Sequence, residues 1–418
     1  MLRAVRVEDA YANLVLPHVL ARLGLSGRDA AFATELASGT LRLRGRYDAI
    51  LTRCVDRPLT RIEARVLDAL RLGTHQLLAM RVPDHAAIST TVDLVRGKAN
   101  AGAAGFANAV LRRVAARSLD DWLADLPLAD RASHPAWVVE ALREAVGEDE
   151  LVALLDADNE PPRVVLVARP GLAEPGELLG RPTPFSPYGV VLEGGSPAEI
   201  DAIREGRAGV QDEGSQLIAV ALARAAVEGP DGRWLDLCAG PGGKAALLAA
   251  LARQRGAELV AAEVQPHRAG LVAANLRATG GSVIAADGTR PPFAAGTFDR
   301  VLVDAPCTGL GALRRRPEAR WRRLSADVPA LVELQTRLLD SALDLTRPGG
   351  VVLYSTCSPV LAETRGVVEA VLTGRKDVAL TPLRLGVPDA EGPLPGTAQL
   401  WPHRHGTDAM FLALLTRR

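Results

Sequence analysis

Through the first 117 residues, apolar side chains recur at intervals of three and four, the period of helices that bury one stripe. In TRIEARVLDALRLGTHQLLAM the stripe is Ile62, Val66, Leu70 and Leu77, and Thr60 with Glu63 has capping-box spacing, so a helix is predicted to start at Thr60. VPDHAAISTTVDLVRGKANAGAAGFANAVLRRVAAR predicts two more helices around a Gly/Ala/Asn connection, the second ending in Arg112, Arg113 and Arg117. An all-helical module follows. Residues 118–134 read as a connector, and a short helical pair then stops at Pro161 and Pro162. Eight prolines lie between Pro161 and Pro197, a density that predicts short extended pieces such as RVVLVA in place of long helices or central strands.

From about residue 211 the pattern changes to strand-length apolar runs separated by helical stretches. RWLDL (233–237), ELVAAE (258–263), SVIAAD (282–287), RVLVDA (300–305) and VVLYST (351–356) are the predicted strands. The longest connection puts Leu331, Leu334, Leu338, Ala342 and Leu345 on one helical face before Pro348, Gly349 and Gly350 break it. Such alternation predicts an α/β fold with a mostly parallel, doubly wound sheet, its ligand beyond the carboxyl ends of the strands. Three segments are expected: a helical domain at 1–125, a small proline-rich α+β subdomain at 126–210 and the α/β domain at 211–418.

Composition narrows the class. The 418 residues are 48% hydrophobic and 23% charged, which excludes a disordered or collagen-like chain. Four widely spaced cysteines without a CxxC pair argue against a disulfide framework or a structural zinc site, so no metal is expected. Without a signal core or a bilayer-length apolar run, the chain reads as cytoplasmic, with no membrane association and no evident obligate protein partner. Net charge is zero, yet residues 1–117 carry 18 basic and 10 acidic groups, 118–230 carry 8 and 21, and 231–418 carry 23 and 18. Two basic ends around an acidic middle suit a polyanion such as RNA. RRRPEARWRR (314–323) adds six arginines and Trp321, read either as a phosphate clamp with a stacking surface or as a solvated face with Trp321 packed inward.

The chemistry gathers at the strand ends. Cys238, Ala239, Gly240, Pro241, Gly242, Gly243 and Lys244 form a glycine-rich turn opening a helix, and Lys244 is one of only three lysines. A P-loop would need glycine at 238 and Ser or Thr at 245; the dinucleotide fingerprint would need glycine at 245. Neither holds. A turn for a cofactor of modest charge remains, followed by Glu263 to accept ribose hydroxyls, which fits S-adenosylmethionine. Asp287 and Asp304 end the next two strands; each is as often a helix cap as a ligand. Cys307 and Cys357 end strands four and five, where adjacent sheet positions would bring two thiols to one mouth, and a thiolate suits addition to carbon.

LDLCAGPGGK, VDAPCTGLGALRRRPEARW, YSTCSP and VQDEGSQL resemble the Sun family (RsmB type) of 16S ribosomal RNA cytosine-5 methyltransferases, and VPDHAAISTTVDLV with GFANAVLRRV resembles a NusB-type RNA-binding domain. The resemblance covers nearly the whole chain. It implies a Rossmann-like methyltransferase domain behind an all-α NusB-like domain, S-adenosyl-L-methionine as cofactor and small-subunit ribosomal RNA as partner. By the same resemblance residues 238–244, Glu263, Asp287 and Asp304 would line the cofactor, with Arg268 as a neighbour. Cys357 would be the nucleophile, Cys307 would assist product release, and Asp304 would be catalytic. Glu263 replaces the family's usual aspartate, RVVLVARPG lacks its upstream asparagine, and Ala409 follows Asp408 where glycine is common. Competing expectations are a cytosine-5 methyltransferase acting on tRNA or DNA, and a non-catalytic RNA-binding or antitermination factor.

Overall fold

The computed structural model describes residues 1–8 and 10–418. By compactness the chain divides into two units: Met1–Glu140 with Leu151–Pro161 and Leu313–Arg323, and Ala141–Glu150 with Pro162–Ala312 and Leu324–Arg418. No helix among the described residues is long and apolar enough to cross a membrane.

The first unit is helical. Helices Arg44–Cys54, Ala64–Leu78, Asp84–Lys98 and Ala101–Ala115 pack around Ile50, Leu70, Val95, Leu111 and Trp122. Val66 and Leu70 are buried, with Ile62 and Leu77 packed at the margin, as the stripe required. The capping box at Thr60 and Glu63 does not form. Leu59–Arg61 closes a 3-10 turn through Arg61 N donating to Pro58 O, and the helix begins only at Ala64. Pro58 supplies the fixed φ that favours the tight turn, and Glu63, too long for an efficient cap, makes no capping bond. The connector expected at 118–134 is also helical in part: Ser118 and Asp121 form a capping box on Leu119–Ala124, which buries Trp122.

In the arginine-rich stretch 314–323, two of the six arginines, Arg320 and Arg322, are engaged by backbone and side-chain partners inside the helical unit, and Arg316 is exposed. Arg320 is wholly buried, donating to Ser133 O at 3.0 Å, Asn159 Oδ1 at 2.9 Å and Asp158 O at 3.3 Å, and burial pulls its pKa down to about 10. Arg322 donates to Val5 O and Ala10 O at 2.9 and 2.7 Å. Trp321 lies against Gly45, where a Cβ would meet its ring at 2.4 Å, and under the Arg44 guanidinium. These side chains hold the helical unit together. At Arg320 the site is dry, so its charge must be met by protein oxygens.

The second unit holds two sheets. In the smaller, β1 (Val165–Ala168), β2 (Arg181–Pro182), β3 (Gly189–Val191) and β4 (Ala208–Val210) pair antiparallel in the order β2-β3-β1-β4. The larger contains β5 (Arg233–Asp236), β6 (Glu258–Glu263), β7 (Ser282–Ala285), β8 (Phe298–Asp304), β9 (Thr346–Thr356), β10 (Val378–Thr381), β11 (Ala398–Gln399) and β12 (Phe411–Arg417). Its order is β10-β12-β9-β8-β5-β6-β7, with β11 beside β12. The five strands from β5 to β9 are parallel and sit where the apolar runs placed them; β10, β11 and β12 add an antiparallel edge. Strand order reverses at β5, which opens a crevice at the carboxyl ends of β5, β6 and β8.

Candidate functional site

The candidate side chains lie where parallel strands stop. After β5 the chain turns through Cys238–Gly242, with a cis Gly240–Pro241 peptide, and starts the helix Gly243–Gln254. Gly240 N donates to Glu263 Oε2 at 3.1 Å, and a Cβ on Gly240 would lie 2.1 Å from that oxygen, so a larger residue would have to displace the Glu263 carboxylate and the Arg268 guanidinium. Arg268 donates to Gly240 O at 2.7 Å and lies 3.8 Å from the Glu263 carboxylate; Asn275 donates to Pro241 O at 3.0 Å. Backbone donors and acceptors are thereby presented by a turn that has no bulk of its own.

Lys244, on the first turn of the helix, ion-pairs with Asp304 Oδ2 at 2.9 Å. Burial opposes its charge, but Asp304 and neighbouring negative groups prevail and hold its pKa above the usual lysine value. Ser355, opposite Asp304 in the β8–β9 register, donates to Asp304 Oδ1 at 3.3 Å. Asp287 stands apart: it is exposed beyond β7 and accepts from Thr289 N and Oγ1, both at 2.8 Å, which holds its carboxyl below the usual range.

Cys307 follows β8 and Cys357 follows β9, and their sulfurs are 3.4 Å apart. The Cys307 thiol is pushed well up by its contact with Cys357, then by burial, and so stays protonated at neutral pH. Cys238 is likewise pushed up, chiefly by burial, then by Asp236 and Asp304. It lines the turn as a neutral thiol.

Two carboxyl groups were missed by sequence reasoning. Asp236, the last residue of β5, is fully buried; its Oδ1 accepts from Cys238 N at 3.4 Å and Oδ2 has no hydrogen-bond partner. Burial first, then the charge of Asp304, pushes its pKa up to about 7. RWLDL offered the signal, an aspartate inside an apolar strand. Because the folded state keeps this proton while the unfolded chain loses it near pH 4, stability is expected to fall as pH rises from about 4 to 7, by about 1 kcal/mol per unit, and then level off. Denaturant titrations at pH 5, 6, 7 and 8 check this: Asp236→Asn should lack that slope, and equal slopes in both proteins would refute it. The second is Glu363, wholly buried behind the two cysteine loops.

The site's charge is a test for a cofactor. Glu263 and Asp304 are matched by Arg268 and Lys244, and Asp236 is largely protonated below pH 7, so the site offers no surplus of positive charge to a polyphosphate and suits a cofactor of modest charge. The orphaned buried oxygen of Asp236 and the bulk-free cradle at Gly240 agree with a ligand that reads backbone at close range. Among the described residues no cluster of His, Cys, Asp and Glu could hold a metal ion.

The family model described as 16S rRNA methyltransferase RsmB/F matches residues 225–416, and that of the NusB family matches residues 1–116. A putative methyltransferase of Mycobacterium tuberculosis is 52% identical over 433 residues, covering 100% of this chain and 94% of that protein. The ribosomal RNA small subunit methyltransferase B of Salmonella typhi is 33% identical over 411 residues, covering 94% and 92%. The solved structure of PH0851 superposes with a TM-score of 0.82 at 22% identity over 96% of this chain and 93% of that one, a likeness of fold.

Proposed function

Since the chain belongs to the RsmB/F methyltransferase family, with a NusB-family domain in front and S-adenosylmethionine as its cofactor, we propose that it methylates carbon 5 of a cytidine in small-subunit ribosomal RNA through a covalent cysteine adduct. The observation that carries this reading is the 3.4 Å pair of thiols at the ends of adjacent parallel strands, beside the Lys244–Asp304 ion pair. Residues 1–125, with their excess of arginine, would engage the RNA.

Residues 238–244, Glu263, Asp304 and Asp287 would hold the cofactor, which supplies an electrophilic methyl group on a sulfonium. Carbon 5 of cytosine is too weak a nucleophile by itself. Addition of the Cys357 thiolate to carbon 6 moves electron density onto carbon 5 and splits one hard step into easier ones. As the thiolate adds, ring N3 would take a proton from Lys244 by way of the Asp304 carboxyl group, and would return it when Cys357 is eliminated. Once carbon 5 carries the methyl group, its proton would pass to solvent water as the carbon 6–sulfur bond breaks, Cys357 leaves as a thiolate, and the neutral Cys307 thiol beside it donates a hydrogen bond to the departing sulfur. The target base must be unstacked or in a loop for this attack.

Incubation with unmethylated small-subunit ribosomal RNA and S-adenosylmethionine, followed by nucleoside mass spectrometry, is expected to yield 5-methylcytidine. A product methylated on nitrogen, or on another base, would overturn the reading.

A further inference from the structure

Behind the two thiols lies a carboxylate that touches neither. Glu363, in the short turn Leu361–Glu363 after β9, has no exposed surface. Its Oε2 accepts from Thr308 Oγ1 and from Ser358 Oγ, both at 2.5 Å, and the two hydroxyls are themselves 3.0 Å apart. Its Oε1 accepts from Thr308 N at 2.8 Å and from Gln335 Nε2 at 2.9 Å, and the same amide donates to Pro306 O at 2.9 Å. Tyr354 OH, from inside β9, donates to Glu363 O at 2.7 Å. Thr308 is the residue after Cys307, and Ser358 is the residue after Cys357. One carboxylate thus binds, through one oxygen, the residue following each thiol.

We propose that Glu363 is the positioning residue of the reaction, holding the Cys307 and Cys357 loops in register so that one thiol attacks while the other stays protonated. A bare carboxylate in this place would cost several kcal/mol, and four donors on two oxygens offset that cost. Packing alone would not require it, since an apolar side chain fills a dry pocket without that desolvation penalty. What only an anion supplies is acceptance of both hydroxyl protons at once. Thr308 and Ser358 each have a single O–H to give, so both loops are tied to one point and the sulfurs are kept within contact. The negative charge also works through space: after the contact with Cys357 and burial, it adds to the push that keeps the Cys307 thiol neutral.

The inference rests on the two-cysteine reading above, and its test separates the two. Iodoacetamide alkylation of Cys307 and Cys357 is followed against pH by peptide mass mapping in wild type, Glu363→Gln and Glu363→Asp, beside kcat and KM for methyl transfer. Glu363→Gln keeps the shape but loses the charge and turns an acceptor into a donor. Cys307 is expected to alkylate about tenfold faster at pH 8 in that variant, its profile moving to lower pH. Its kcat is expected to fall about 100-fold while KM for S-adenosylmethionine stays within about twofold, the mark of misplaced thiols and an intact cofactor site. Glu363→Asp, which keeps the charge, should recover part of kcat and a near-normal Cys307 profile. If Glu363→Gln does not fold, Ser358→Ala removes one tie alone and should move both readouts the same way by less. Unchanged thiol profiles and kcat in folded variants would overturn the proposal even if wild type methylates RNA through Cys357. Shifted thiol profiles in a protein that never methylates RNA would leave Glu363 as the thiol-positioning group and bring down the covalent reading instead.

Discussion

Cys357→Ala is expected to lose methyl transfer by about 10,000-fold or more and to form no covalent complex with RNA, whereas Cys307→Ala is expected to accumulate one. Both sulfurs reach the same place, 3.4 Å apart, so position alone does not rank them. The roles are those of the proposed reading, and burial agrees with them: Cys357 is partly open, whereas Cys307 is buried and its thiol is pushed up by the contact with Cys357. Removing Cys357 removes the bond to carbon 6. Removing Cys307 leaves that bond able to form but takes away the S–H that receives the departing sulfur. Denaturing gels of each variant after incubation with RNA and S-adenosylmethionine show the adduct directly as a slow-migrating band. Adduct in Cys357→Ala and none in Cys307→Ala would reverse the roles.

Gly311→Ala is expected to damage stability and activity together. Gly311 N donates to Cys357 O at 2.9 Å and Gly311 O accepts from Ala409 N at 2.8 Å, so one residue joins the Cys307 loop, the Cys357 loop and the segment before β12. A Cβ there would lie 2.1 Å from Ala409 O and 2.9 Å from Cys357 O, and both obstacles are backbone, which cannot rotate aside. Relief must come by parting the segments and breaking at least one of the two hydrogen bonds. Overpacking and the lost bond together should cost about 3 kcal/mol, and the displaced Cys357 should lower kcat by about 100-fold. Urea denaturation and the methylation assay check both; a variant with wild-type midpoint and rate would show that the segments move freely past one another.

The sheet was legible because parallel strands buried on both faces are plain apolar runs, and RVLVDA and VVLYST fall on β8 and β9 with their chemistry at the ends. β12, FLALLTR, has the same composition, yet it escaped because nothing after it supplied a second element of an alternating unit; it pairs antiparallel with β9 and closes the edge. The glycine turn and the strand-end cysteines announced themselves by residue type at a strand terminus. Asp236 did not, because inside RWLDL it reads as an interruption of the apolar run. Glu363 could not be read at all: its importance lies in Thr308, 55 residues away, and Gln335, 28 residues away, which no local pattern connects. The arginines of 314–323 misled for the converse reason. Their density is the same whether they face phosphate or buried carbonyls, and for Arg320 and Arg322 only the partners, Ser133, Asn159 and Val5, reveal the structural role.

Those partners bear on the order in which the molecule can be made. The helical unit takes a strand of packing from Leu313–Arg323, so its interior is incomplete until the ribosome has passed well beyond Pro161. At about 5–20 residues per second that wait is roughly ten to thirty seconds, during which the Ser133 and Asp158 carbonyls have no Arg320 to meet. The portion synthesised first is therefore finished by residues synthesised much later. A fragment cut near residue 125 would lose Arg322, which donates to Val5 O and Ala10 O, while Arg320 would stay in the remainder with its partners Ser133, Asp158 and Asn159.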